Sequence, residues 1–211
     1  MGKDYPEIDA KIADWVSRQK MFFVSTAPLS RDGMVNCSPK GMDTFRILGP
    51  RTIAYLDLTG SGVETIAHLQ ENGRIVIMMC AFEGPPDIYR FHGHGEALVK
   101  GTPEYDALIE NFEEFPGARS IILISVDRIS DSCGYSVPLY KYQGDRDGLI
   151  KWAEKKGPDG ITAYQREKNE TSVDGLPSHL HQGTSSLEKQ EITPDKRPRI
   201  DHPKTSSPRT Q

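Results

Sequence analysis

The tightest constraint on this chain is a succession of short β-prone runs that leaves little room for helices between them. MFFVSTA (21–27), MVNCS (34–38), TFRILG (44–49), RTIAYLDL (51–58), RIVIMMCAF (74–82), the stretch 88–99 and RSIILISVD (119–127) are interrupted by Gly, Pro and Asp. RDG (31–33) and GPR (49–51) read as hairpin turns. RIVIMMCAF is apolar on both faces, as a strand enclosed on both sides should be. The 88–99 stretch alternates instead: Ile88, Arg90, His92, His94 and Glu96 share one face, and Tyr89, Phe91, Ala97 and Val99 the other. Helical spacing is confined to residues 6–19, 63–71 and 103–112 within this region. Pro6 suits a first helical turn, and Asn72-Gly73 is a stop signal for the second helix. Six or seven strands with brief helical insertions favour a small closed barrel, because closure removes exposed strand edges. The expected class is mainly β with helices (α+β).

Three regions follow: a barrel domain with its N-terminal helix over 1–130, a charged and thinly apolar helical extension over 131–182, and a polar tail over 183–211. The extension is expected to pack on the outside of the barrel. The tail carries so few apolar residues that burial cannot offset its ordering entropy, so disorder is expected there. KRPR (196–199) in that tail reads either as a solvated basic patch or as a weak nuclear-import or phosphate-binding signal.

A net charge of -4 argues against a nucleic-acid partner. No apolar run reaches the ~18–20 residues of a membrane span, so no membrane partner is expected. The opening MGKDYPEIDAKIADW lacks the basic-then-apolar order of a secretory signal, and Pro6 spoils a myristoylation motif. Cys37, Cys80 and Cys133 are scattered and odd in number, which suits free thiols in the cytosol better than a disulfide framework or a zinc site.

Chemistry concentrates at DLTGSGVETIAHLQENGR (57–74), where a Gly-Ser-Gly turn joins a strand to a helix. A helix N-terminus presents N–H groups without partners and a partial positive charge, and glycines let an anion come close. Thr59, Ser61 and Thr65 add hydroxyls; the plainer reading makes Ser61 the N-cap of an ordinary turn. A dinucleotide fingerprint, Gly60-x-Gly62-x-x-Thr65 with Glu83 as ribose-binding carboxylate, lacks its third glycine and any repeated βαβ unit. VNCSPKG (35–41) ends another strand with a hydroxyl, a rigid proline and Lys40, which reads either as a point charge for a phosphate or as a solvated lysine.

Taken in order, SPKG, RTIAYLDLTGSGVETIAHLQENGR and the apolar strand after it resemble the pyridoxamine 5'-phosphate oxidase-like family of FMN-binding split barrels, over roughly residues 15–130. SCGYSVPLYKYQGDRDGLIKWAEKKG through EKNETSVDGLP (132–177) is similar to the C-terminal extension of an uncharacterised branch of that family. The resemblance implies a six-stranded Greek-key split β-barrel, a homodimer, and FMN in a groove between subunits, with a small molecule as substrate. It implies that Asn36, Cys37, Ser38, Pro39 and Lys40 line the isoalloxazine edge, that Tyr55, Leu56 and Asp57 pass beneath the flavin, and that Ser61 and Gly62 take its phosphate. It places Arg90 near the ring from the partner side. The oxidases that make pyridoxal phosphate begin the first strand with Arg, where this chain has Val35, and carry Arg-Lys where it has Ser61-Gly62. They also end in a Trp- and Arg-rich segment missing here, so the resemblance is to the flavin fold and not to that reaction. A flavin or haem carrier, a sensor, and a deazaflavin-dependent reductase are the alternatives on the same fold.

His92, His94 and Glu96 share a strand face with metal-ligand spacing, but no second motif completes a cupin-like set, and a solvated or dimer-contacting face is expected. No metal is expected. His68 is expected at the surface of its helix, His179 and His181 in a loop, and Trp15 and Trp152 as helix anchors. No nucleophile–base pair suggests itself.

Overall fold

The computed structural model describes residues 2–181; the expected polar tail and its KRPR patch lie outside the described residues. The chain folds as an α+β split barrel. Its sheet is wholly antiparallel and runs in the order β3-β2-β6-β7-β8-β5-β4, from strands β1 (Asp4–Tyr5), β2 (Phe22–Thr26), β3 (Asn36–Lys40), β4 (Phe45–Gly49), β5 (Thr52–Leu58), β6 (Arg74–Cys80), β7 (Asp87–Val99) and β8 (Ala118–Cys133), with β1 beside β8. Among the described residues eight strands stand where the patterning predicts six or seven and the resemblance implies six. The two-residue β1 carries too little pattern to be seen in sequence, and β8 continues well past residue 127, through alternating polar residues that pair with the start of β7.

Helix α1 (Ala10–Ser17) begins four residues later than Pro6 suggests, because Asp9 caps it by accepting from Ile12 N at 2.8 Å. Trp15 packs on Tyr89 with ring centroids 4.8 Å apart, sealing one side of the barrel. Inside lie Ile53, Tyr55, Ile77, Phe91, Ile122 and Ile124, all without exposure. The other faces of β5 and β8 form a second cluster, Ala54, Leu56 and Ile121, covered by Tyr105 and Phe112. These two come from α3 (Pro103–Leu108) and the short 3-10 turn after it, so the expected 103–112 helix tightens before its end.

The β5-to-β6 crossing passes through α2 (Glu64–Asn72), which lies against β2, β6 and β7. Gly73 ends it in the left-handed region, φ 70°, donating to Leu69 O. Beyond Cys133 an extended strap leads to α4 (Gly148–Lys168), which is broken at Gly157 (φ 66°) with Pro158 opening its second half. The chain then turns back at 169–178 to lie against the start of α2.

Candidate functional site

Side-chain alternation on β3 sorts its residues into two rows: Asn36, Ser38 and Lys40 are half-buried, and Cys37 and Pro39 are exposed on the other face. The half-buried row faces the start of α2 and the end of β5. Asn36 Nδ2 donates to Thr65 Oγ1 at 3.0 Å and to Thr26 Oγ1 at 3.1 Å, while Ser38 Oγ donates to Asn36 Oδ1 at 2.9 Å. Lys40 Nζ reaches Asp57 Oδ1 at 3.1 Å. The expected free phosphate lysine is therefore already paired, because Asp57 is 1% exposed and needs the charge.

Asp57 has a second cation. Arg119 Nε lies 2.6 Å from its Oδ2, and Arg119 is itself 5% exposed. Burial alone would push the Asp57 carboxyl up, but the Arg119 and Lys40 charges and hydrogen bonds outweigh it and hold the group below the usual carboxylate range. Arg119 reaches this position through a bulge. Asp57 pairs with Ser120 and Leu58 with Ala118, so Arg119 is the extra residue that β8 expels from the ladder toward the turn.

The Gly-Ser-Gly turn is gripped from behind. Arg119 Nη2 donates to Gly62 O at 2.9 Å and Arg119 Nη1 to Asn169 Oδ1 at 2.8 Å. Asn169 Nδ2 donates to Gly60 O at 2.9 Å and to Ser61 O at 3.3 Å. Thr59 is not a free donor either: its hydroxyl donates to Gly117 O at 2.7 Å and accepts from Gln165 Nε2 at 2.7 Å. On the opposite side, the N–H groups of Ser61, Gly62, Val63, Glu64, Thr65 and Ile66 have no acceptor among the described residues. Ser61 is exposed and does not cap α2; Val63 occupies the N-cap with no side-chain bond, so the helix start stays uncapped. The Glu64 carboxylate folds back over Gly62, where an added Cβ would collide with its Oε2, and Val173 N donates to its Oε1 at 3.3 Å.

Tyr55 stands inside the barrel below this end, 5.4 Å from Phe22 between ring centroids and with Lys40 Nζ 6.0 Å over its ring. Its hydroxyl is buried without a partner among the described residues, although Thr65 is beside it, and burial pushes its pKa well above the ordinary tyrosine value. Leu56 points the other way, into the second apolar cluster. Arg90 is also apart, donating to Ser132 Oγ at 2.8 Å on the far side of the sheet. Hydrogen bonds thus form two networks, one joining Asn36 and Ser38 to Thr65 and one joining Lys40 and Asp57 through Arg119 to Gly62, with Ser61 and Tyr55 alongside; Cys37, Pro39, Leu56 and Arg90 belong to neither.

Two expectations about histidine are corrected or resolved here. His68 is fully buried, not at the surface, because the helix face carrying it packs against β2, where Thr26 Oγ1 meets His68 Nδ1 at 2.9 Å. His94 pairs with Asp127 at 2.8 Å, and no group of three or more metal-ligating side chains is assembled among the described residues. Glu83 accepts from Tyr142 N at 3.3 Å in an exposed loop, and every strand pairing among the described residues is antiparallel, so they contain no parallel βαβ unit of the kind a dinucleotide fold needs. A shallow hollow of about 390 Å³ lies elsewhere, over Ser25, Val35, Val76 and His92; it holds none of the turn, so polarity and not volume marks the site. Sequence reading missed Arg119 and Asn169. A cation opening an apolar strand and an asparagine closing a helix were the available signals.

Residues 8–133 match the profile of the family described as pyridoxamine 5'-phosphate oxidase. The pyridoxamine 5'-phosphate oxidase family protein ustO of Aspergillus flavus is 37% identical over 194 residues, spanning 84% of this chain and 77% of that protein. Among solved structures, HupZ of Group A Streptococcus is 25% identical at a TM-score of 0.46, covering 58% of this chain and 91% of HupZ. An FMN-binding protein of Syntrophomonas wolfei is 19% identical at a TM-score of 0.39, covering 57% and 78% respectively.

Proposed function

Since the chain belongs to the pyridoxamine 5'-phosphate oxidase family, we propose that it is an FMN-binding flavoprotein, working as a homodimeric oxidoreductase on a small molecule. The observation that carries the reading is the uncapped, acceptor-free run of N–H groups from Ser61 to Ile66 beside the Asn36–Ser38–Lys40 row. Such a run suits a terminal phosphate, because helix-end dipoles and hydroxyls stabilise an anion without a first-rank cation. The unpartnered Tyr55 hydroxyl fits the same account, since a buried donor at this end of the barrel gains an acceptor only from something bound or from water.

Ser61 and Gly62 would hold the phosphate by their backbone, and Asn36, Ser38 and Lys40 would present polar groups to the ring edge. Bound FMN would supply the electron transfer, leaving the protein to bind, orient and exclude water. This accounts for a site without a nucleophile–base pair. The free cysteines, two of them exposed, suit the reducing cytosol, and no helix among the described residues is long and apolar enough to cross a membrane. Arg90 stays a candidate for the partner's flavin, a role that a homodimer would provide.

The test is the visible spectrum of the purified protein, followed by mass spectrometry of the released ligand. A flavin band and the mass of FMN support the reading; a deazaflavin mass replaces the cofactor. A colourless protein that stays colourless with added FMN overturns it. Turnover with NADH or NADPH above that of free flavin supports the oxidoreductase, and its absence in the flavin-loaded protein favours a carrier or sensor.

A further inference from the structure

Asn169 is the first residue past α4, has no exposure, and spends its side-chain amide on a turn more than a hundred residues away. Its amide donates to two successive carbonyls, Gly60 O and Ser61 O, and its oxygen accepts from the guanidinium that holds the third, Gly62 O. Three consecutive carbonyls thus point to one side. In a trans peptide the carbonyl and the following N–H point in opposite directions. The N–H groups of Ser61, Gly62 and Val63 are therefore turned away from Asn169 and Arg119. Successive N–H groups facing one way form an anion-binding concavity, and here the concavity runs straight into the start of α2.

We propose that Asn169 is a positioning residue of the phosphate site: it sets the peptide orientation of the Gly-Ser-Gly turn, so the chain beyond the barrel is required to recognise the phosphate and not the flavin ring. The proposal rests on the flavin reading above. Its rival is a plain tether, in which Asn169 only fastens the C-terminal segment to the barrel. The two differ in what they do to ligands. A tether's loss disturbs phosphorylated and unphosphorylated flavin alike, whereas loss of the orienting amide acts on the phosphate alone.

Asn169→Asp tests this, and Gln165→Leu, which adds no charge, controls for the negative charge that the first substitution brings near an incoming phosphate. Asn169→Asp keeps the side chain's size and the oxygen that meets Arg119, but replaces the donor to Gly60 O and Ser61 O by a second acceptor, which repels both carbonyls. The full chain is titrated with FMN and with riboflavin by fluorescence quenching, and thermal unfolding checks that each variant is folded. The expected result is about tenfold weaker FMN binding, with riboflavin unchanged within about twofold, since a hydrogen bond serving a charged group carries energy of that order. Gln165→Leu is the second variant, because Gln165 is half-buried and acts on the same turn only through Thr59. It should give a smaller loss with the same preference for FMN. Equal losses for both flavins, undiminished FMN binding in folded Asn169→Asp, or an FMN loss in Asn169→Asp with none in Gln165→Leu, overturn the proposal while leaving the flavin reading intact. A wild-type chain that binds neither flavin overturns both.

Discussion

Replacing Arg119 by methionine removes one charge from a buried trio and keeps most of the side chain's apolar bulk. Asp57, 1% exposed, would be left with Lys40 alone, whose side chain is 26% exposed and whose contact is the longer one, 3.1 Å against 2.6 Å. Stripping one partner from a buried ion pair costs about 3–5 kcal/mol, because the remaining carboxylate stays desolvated. At a urea dependence of ~2 kcal/mol/M, the unfolding midpoint of Arg119→Met should fall by roughly 1.5–2.5 M at pH 7.

The pH dependence of that loss tests the cause. In the wild type the Asp57 pKa is depressed, so its stabilisation is present above the unfolded value of ~3.9 and disappears as pH falls through the lower folded value. Without Arg119 the burial that already works against the charged form is no longer outweighed, and the folded pKa rises above the unfolded one. The native variant then binds more protons than its unfolded chain, and its stability drops as pH climbs from ~3.9 through the raised value. Midpoints measured from pH 4.5 to 7.5 should therefore show a gap between wild type and variant that widens with pH. Adding Asp57→Asn to Arg119→Met should close most of it. A gap that is constant across this range, or below ~1 kcal/mol at pH 7, would falsify the assignment of Asp57 as an anion held by Arg119.

Glu64→Gln should tighten FMN binding about fivefold and leave riboflavin unaffected, because a carboxylate over Gly62 opposes an incoming phosphate by roughly 1 kcal/mol in a solvated setting; titration of both flavins checks it, and an equal effect on the two rules it out. Tyr55→Phe deletes a buried hydroxyl that has no partner, so the ligand-free protein should be as stable as wild type or up to ~1–2 kcal/mol more stable. The same variant should hold FMN less tightly; a clear loss of ligand-free stability in urea would mean the hydroxyl is already satisfied. Burial lowers the His68 pKa despite the nearby Asp174, Glu64 and Glu71 carboxylates, so the unfolded chain takes up a proton first and stability should decline as pH falls below ~6.5. His68→Gln should flatten that decline in midpoints measured between pH 7.5 and 5.5, and an unchanged slope would assign it to other groups.

The barrel was legible because its information is local. RIVIMMCAF and the alternating 88–99 stretch state their own burial, and Asn72-Gly73 announces the helix end that the left-handed Gly73 supplies. The turn was legible as well, since glycines between a strand and a helix are few and visible. What escaped was everything decided by a register shift or a distant contact. Arg119 opens an apolar strand and looks like its solvated edge, yet one extra residue in β8 turns it inward onto Asp57. Asn169 looks like a helix end, and only the return of the chain after α4 brings it to Gly60. Lys40 read as a free charge because nothing in SPKG reveals that Asp57 lies buried across from it. His68 read as surface because its helix is polar on average, while the face that carries it is the packed one.

These misses share a physical origin, and together they change how the turn should be understood. A sequence search for a phosphate site looks for cations beside the glycines, and Ser61-Gly62 offers none. The charge is nevertheless there, one layer back: Lys40 and Arg119 carry two positive charges against the single negative charge of Asp57, and Arg119 Nη2 is bonded to Gly62 O itself. A cation on a carbonyl polarises that peptide and strengthens the N–H on its other end, here that of Val63 at the uncapped start of α2. Positive potential is thus relayed through a peptide plane instead of being presented by a side chain. Such a site gives up the direct ion pair, which costs affinity, and gains a geometry that a flexible lysine cannot hold. In the proposed phosphate site, recognition would depend on Asn169, because the relay works only while the carbonyls face inward.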